Sequence, residues 1–339
     1  HGPNHPKLAQ PLLQLANLLA YNGDEISAKK FAERALSILE SNLTENSATL
    51  ILKNLPKLQN FHFSKERLNR FADSSQVFAS KALGENSPKY ADFLIGRADL
   101  LEIKPQKELT KKIKLYRRAL SMLQGAYGKK DPKLLPVLQK LEENISYYFD
   151  EIDWKHTRKL PYEDQIKIYN QSELKSKARE GEREKILKLI ASITLSAYGL
   201  ESTQHANSLS DLGHFYSMRA PGLVDGRDAR RVDKQRALSY YMRSLGILES
   251  IHGDQNDRIS GISSVLWQVS FINQQLGNDR EALTFSRRNY NQIKKQLDPS
   301  PSQINKDKNS RRKLAKFEYV EEPRDEKRKE KKVFFDLVL

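Results

Sequence analysis

A short motif punctuates this chain again and again: an aromatic residue or Leu, then Gly, then two or three polar residues, often followed by Pro. It reads His1-Gly2-Pro3-Asn4-His5-Pro6 at the start and Leu83-Gly84-Glu85-Asn86-Ser87-Pro88 further on. Tyr127-Gly128-Lys129-Lys130-Asp131-Pro132, Tyr198-Gly199-Leu200-Glu201-Ser202-Thr203 and His252-Gly253-Asp254-Gln255-Asn256-Asp257 continue it. A degenerate copy, Leu43-Thr44-Glu45-Asn46-Ser47-Ala48, fills the first gap. The spacings are roughly 42, 40, 44, 71 and 54 residues. Three successive steps of one size mark a repeat array in which each unit is a supersecondary element. The two longer steps mark insertions.

Between the junctions the apolar residues fall at helical spacing. Leu12, Leu15, Leu18 and Leu19 predict a first helix that stops at Asn22-Gly23. Asp24 is placed to cap a second, which carries Ala28, Phe31, Ala35, Leu36 and Leu39 on one face. The plan returns near the other end. Ile262, Val265, Leu266, Val269 and Ile272 precede Leu276-Gly277-Asn278-Asp279, and Ala282, Phe285 and Ile293 follow. Two helices joined by a tight turn must lie close together, and Ala at 28 and 35 keeps the seam between them thin. Neither helix buries its stripe alone, so the pairs must stack.

The insertions have their own character. About 29 extra residues lie between Asp131-Pro132 and Tyr198, enough for one more helix pair or one long helix; Tyr162 to Ala197 reads as helical apart from Gly181. Arg219 to Gly226 lengthens what should be a short turn within a pair, and Arg227, Arg230, Arg231, Lys234 and Arg236 flank it. That cluster is read first as a solvated loop and second as an anion contact. From residue 298 the helical pattern ceases, leaving a charged linker and a tail ending Val333-Phe334-Phe335-Asp336-Leu337-Val338-Leu339. The domain reading is therefore residues 1–297 as about six helix pairs, with insertions near 150–195 and 219–233, and residues 298–339 as a tail.

The Gly2-Pro3-Asn4-His5-Pro6 junction, the Leu-rich helix behind it and Ala32-Glu33-Arg34-Ala35-Leu36-Ser37-Ile38-Leu39-Glu40 resemble the kinesin-light-chain type of tetratricopeptide repeat, whose unit is about 42 residues. Tyr116-Arg117-Arg118-Ala119-Leu120-Ser121-Met122-Leu123 and Tyr240-Tyr241-Met242-Arg243-Ser244-Leu245-Gly246-Ile247-Leu248-Glu249 are similar. The resemblance covers roughly residues 1–297 and is weak around 45–82 and 140–195. It implies an all-α, right-handed superhelical array of antiparallel helix pairs, with a concave groove lined by the first helix of each pair. It also implies a small residue on each first helix: Gly213 meets this in the fifth unit, while Glu142 departs from it in the fourth. The groove positions implied are Gln14, Asn17, Lys140, Glu143, Asp211, His214, Gln268 and Phe271. Asn and Gln there both donate and accept hydrogen bonds, as a peptide backbone requires.

Composition narrows the chemistry. No cysteine is present, which removes disulfides, thiolate metal sites and thiol nucleophiles together. No Gly-rich phosphate loop, His-Glu-x-x-His or nucleophile elbow occurs, so no cofactor, metal or catalytic site is read. His1 and His5 lie four apart at a Pro-rich end and do not make a metal site. With 38% hydrophobic and 30% charged residues the chain is polar for a globule and ordinary for an elongated array. No apolar run is long enough for a membrane span. The sequons at Asn42, Asn144 and Asn170 carry no assignment. Both ends read as cut, so an export signal, an anchor or further repeats would fall outside it; the compartment is cytoplasmic by default and extracytoplasmic if such a signal preceded His1.

The net charge is +15. Most of it alternates with acids, as in Arg179-Glu180-Gly181-Glu182-Arg183-Glu184-Lys185, and reads as wet helix faces. The leading expectation is a non-enzymatic scaffold or adaptor that holds a peptide or protein in the groove. The first rival is a helical-repeat protein that binds nucleic acid by its basic surface; the second is an accessory or sensor module of a larger protein.

Overall fold

The computed structural model describes residues 2–42, 65–104, 106–147, 157–219, 226–252 and 261–297. Among the described residues there is no strand. The junction motif shows how the helices are punctuated. Gly84, Gly128 and Gly199 each sit just past a helix end at φ of +83°, +91° and +84°, the left-handed region where a side chain is disfavoured. The Gly128 and Gly199 amides donate to Gln124 O at 2.9 Å and Leu195 O at 3.0 Å, satisfying carbonyls of the last turn. Three residues after each Gly a polar side chain opens the next helix. Ser87 accepts from Tyr90 N at 3.1 Å, Asp131 from Lys133 N at 2.8 Å and Ser202 from His205 N at 3.2 Å. His5 does the same for Lys7 N at 3.3 Å. Each junction is thus a stop joined to a start.

The elements follow from these caps. In the first unit, His1–Arg179, a 3-10 turn at Pro6–Leu8 leads into α1 (Ala9–Tyr21) and α2 (Glu25–Ser41). Then come α3 (Lys65–Leu83), α4 (Pro88–Leu100), α5 (Gln106–Tyr127), a second 3-10 turn at Pro132–Leu134 and α6 (Leu135–Ser146). The helix α7 (Tyr162–Tyr198) carries on into the second unit, Glu180–Leu339. There α8 (Thr203–Met218), α9 (Gly226–His252), α10 (Ile262–Leu276) and α11 (Asp279–Leu297) follow. Helices pack as α1 on α2, α4 on α5, α8 on α9 and α10 on α11, and α3 on α4, α5 on α6 and α9 on α10 join neighbouring pairs. Within α1–α2 and α10–α11 a turn of two or three residues makes the two helices antiparallel.

The seams are built from small residues. On α2, Ala28, Ala35, Leu36 and Leu39 are buried, as the sequence predicts, with Ala32 buried beside them and the predicted Phe31 half-buried. The α2 N-cap is Asp24, which accepts from Ser27 N at 3.0 Å, and that bond holds its carboxyl below the ordinary carboxylate range. On α10 all five predicted apolar residues are buried, and Ala282 of α11 faces them. The first helix is the exception. The face of α1 that is buried is Ala9, Leu13 and Ala16, whereas Leu15 and Leu18 of the predicted stripe are exposed. Of the described helices α2 covers α1, and it covers only the small-residue side.

The segment predicted as helical from Tyr162 is one unbroken helix of 37 residues with Gly181 inside it. Its buried side chains begin only at Ile186, and Tyr162 and Leu174 earlier along it are exposed. The expected tail, the degenerate junction at Leu43, the junction glycine at Gly253 and most of the loop after Arg219 lie outside the described residues.

Ion pairs tie pairs together on the far side. Glu40, which closes the Ala35-Leu36-Ser37-Ile38-Leu39 run, receives both Nε and Nη2 of Arg67 of α3 at 2.9 and 2.6 Å. Glu249, at the same place in Leu245-Gly246-Ile247-Leu248, receives Arg288 of α11. The repeat is therefore visible in its ion pairs as well as in its seams.

Candidate functional site

Counting from the first residue of each junction-closed helix puts the first-of-pair helices of the first unit in one register. Gln14 and Asn17 stand 8 and 11 residues after Pro6, and Lys140 and Glu143 stand 8 and 11 after Pro132. Gly96 and Asp99 hold the same places after Pro88 on α4. Sequence reasoning passed over that pair, and the count from Ser87-Pro88 would have found it.

In the first unit this register is partly spent on the chain itself. The Lys140 ammonium of α6 donates to both carboxylate oxygens of Asp99 of α4 at 2.7 Å. Tyr116 of α5 donates its hydroxyl to the same carboxylate at 2.5 Å. Burial and that bond push the Tyr116 hydroxyl far above its ordinary range. Beside them Lys112 donates to Leu101 O at 3.0 Å. Burial pulls the Lys112 ammonium down, opposed by Asp99 and Glu143 and reinforced by Lys140. Glu143 is exposed, and Glu142, at the position where a small residue was expected, is half-buried. On α1, Gln14 is exposed and Asn17 half-buried.

In the second unit Asp211 and His214 stand 8 and 11 residues after Thr203, whereas Gln268 and Phe271 stand 6 and 9 after Ile262. Asp211 and His214 of α8 are both exposed. Gln268 and Phe271 of α10 are half-buried, and the Phe271 ring stacks on Trp267 with centroids 5.4 Å apart and planes 5° from parallel. Phe271 rests against the buried core of this unit, so the stack is held from beneath. Between the exposed residues of α8 sits Gly213. A Cβ there would lie 2.9 Å from the ring of Tyr241, which is 1% exposed on α9. The predicted small site is thus a close approach of α8 to α9, and it fixes which face of α8 is left outward.

The flanks of α8 are anchored. His205, nine residues before His214, is 2% exposed with Nδ1 3.4 Å from Thr194 Oγ1; burial pulls its pKa down, and Arg243 adds to this. It is a packed histidine. Tyr216 donates to Glu184 of α7 at 2.8 Å and stacks on Tyr240 of α9 at 5.6 Å. Burial and that bond push the Tyr216 hydroxyl up to about 12. Lys188 donates to Glu184 at 2.6 Å, and Arg219 reaches Glu180 at 3.1 Å. Against burial, which raises it, the bonds from Lys188 and Tyr216 hold the Glu184 carboxyl below its ordinary range. Of the basic cluster after the loop, Arg236 pairs with Asp233 at 3.2 Å, while Arg230 and Arg231 are exposed.

Among the described residues no group of three His, Asp or Glu converges as a metal site would, and no helix is long and apolar enough to cross a membrane.

Antiparallel pairs, small-residue seams and glycine-stopped junctions define a tetratricopeptide-like helical-repeat fold. Solved structures carry the same architecture. The chain is similar to BtubC (BKLC) from P. vanneervenii, with 14% identity over 89% of this chain and 95% of that one and a TM-score of 0.51. It is similar also to the nearly identical TPR-like repeats of a putative kinesin light chain from Podosopora anserina, with 11% identity over 75% and 97% of the two chains and a TM-score of 0.50. No protein-family profile matches the chain, and no curated protein sequence does.

Proposed function

We propose that this chain is a non-enzymatic interaction scaffold that holds a peptide or protein segment against its first-of-pair helices, chiefly α8 and α10. The observation that carries this reading is a contrast between first-of-pair helices. Asp211 and His214 stay exposed beside a core-backed Trp267–Phe271 stack, whereas the α4–α6 positions are tied to one another. An acceptor, an imidazole, an amide at Gln268 and an aromatic platform together supply what an extended segment needs: backbone hydrogen bonds and a place for one apolar side chain. Rigid aromatic anchors flanked by polar groups are also where binding energy concentrates in interfaces. The helical-repeat fold of the solved structures favours the same use.

Panning a random peptide library on the intact chain tests this. Peptides that are enriched should lose about tenfold or more in affinity with Asp211→Ala/His214→Ala, and again with Phe271→Ala, in variants whose melting is unchanged. Enriched peptides indifferent to all three substitutions would remove the proposed surface.

A further inference from the structure

The charge of this chain is concentrated in one place. Residues 104–133 hold ten Lys and Arg against two acids, so 30 of 339 residues account for more than half of the net +15. Most of that run is α5, the second helix of its pair. Its apolar side, Leu109, Ile113, Tyr116, Ala119, Met122 and Leu123, is buried. The opposite side shows Lys107, Lys111, Lys114 and Arg118, at steps of 4, 3 and 4, all exposed. Such steps bring the four onto one stripe about 16 Å long, with Lys104 just ahead of it.

The stripe is only lightly countered. Lys111 lies 3.5 Å from Asp73 and Arg118 3.4 Å from Glu85, both exposed pairs of the kind that hold weakly in water. Asp73 is also claimed by the buried Arg97. Lys104, Lys107 and Lys114 pair with no described residue.

We infer that the α5 stripe is a docking surface for the phosphodiester backbone of a nucleic acid, bound without sequence preference. Charge complementarity is the first ground: a line of cations on a stiff helix meets a line of regularly spaced phosphates and releases their counterions. The second ground is what the stripe lacks. Between Ile103 and Tyr127 no large apolar side chain is exposed. Protein interfaces draw their energy from apolar and aromatic anchors, and membrane-surface helices bury an apolar face. Neither lies along the stripe from Lys107 to Arg118; the exposed aromatic of α5, Tyr127, stands at its last residue, under Lys133. The surface lies on a second-of-pair helix of the first unit and shares no residue with α8 or α10.

The test is fluorescence anisotropy of a labelled oligothymidine of about 20 nucleotides with the full chain, from about 50 to about 200 mM salt. The variant is Lys104→Ala/Lys107→Ala/Lys114→Ala; the control, with the same change of charge, is Lys29→Ala/Lys30→Ala/Lys185→Ala, all exposed. Wild type should weaken about a hundredfold across that range. The α5 variant should lose about tenfold at low salt, with a log–log slope shallower by about two, and the control should stay within about twofold. Asp211→Ala/His214→Ala should bind the oligonucleotide as wild type does, so a failed peptide experiment would leave this result standing. Equal losses in both triple variants would overturn the inference in favour of diffuse charge. Equal or tighter α5-dependent binding to polyglutamate or to phosphatidylserine vesicles would overturn it in favour of an acidic protein or a membrane.

Discussion

The faces of α4–α6 and α8–α10 are both made by first-of-pair helices and end differently. On the first, Asp99 gathers Lys140 and Tyr116. On the second, Asp211 and His214 are exposed, and Gln268 and Phe271 are half-buried, with Phe271 stacked on Trp267. A repeat fixes where a side chain stands; its neighbours decide whether that side chain serves stability or recognition. The first face is a strap between pairs, and the second is a surface.

The largest effects should come from the seam that sets the second face. Gly213→Ala drives a methyl into the buried Tyr241 ring and should cost ~1–3 kcal/mol, read by urea unfolding. Gly246→Ala, in α9 with open space around it, should instead add ~0.5–1 kcal/mol. Equal effects of the two would mean that α8 does not rest on Tyr241.

Next comes the strap. Asp99→Ala leaves the Tyr116 hydroxyl and the half-buried Lys140 ammonium without their shared acceptor and should cost ~1–2 kcal/mol. Asp211→Ala, at an exposed place, should stay within ~0.5 kcal/mol. A reversal of that order in thermal melts would undo the contrast between the two faces.

Acid should sharpen it further. The Glu184 carboxyl titrates below its ordinary 4.5, so its contribution is complete above that value and fades as pH falls through its folded pKa. Melting of wild type should therefore drop more steeply than that of Glu184→Gln below about pH 4.5, by under about 1 kcal/mol. Parallel acid profiles would show that the Tyr216–Glu184–Lys188 contacts do not steady α8. The smallest effect is on stability in His214→Ala, expected within ~0.5 kcal/mol, with its consequence confined to binding.

Much of this architecture was legible in the amino-acid sequence because its signals are local. The junctions could be read from Gly and a capping side chain three residues later, and Gly213 from the small residue that the repeat resemblance implies on each first helix. Other features depend on partners far along the chain. The buried face of α1 turned out to be Ala9, Leu13 and Ala16, because α2 takes the side that lets the helices approach, not the side richest in Leu. Gly181 did not break α7, since one Gly costs a helix only about 1 kcal/mol. The role of Lys140 as a strap is set by Asp99, 41 residues away, and no periodicity announces which acid a lysine will meet.

The most direct test of the central contrast is hydrogen exchange on the intact chain with and without a saturating peptide selected by panning. The account predicts added protection in α8 and α10, with α4 and α6 unchanged. Protection centred on α4 and α6, or confined to α9 and α11, would contradict it.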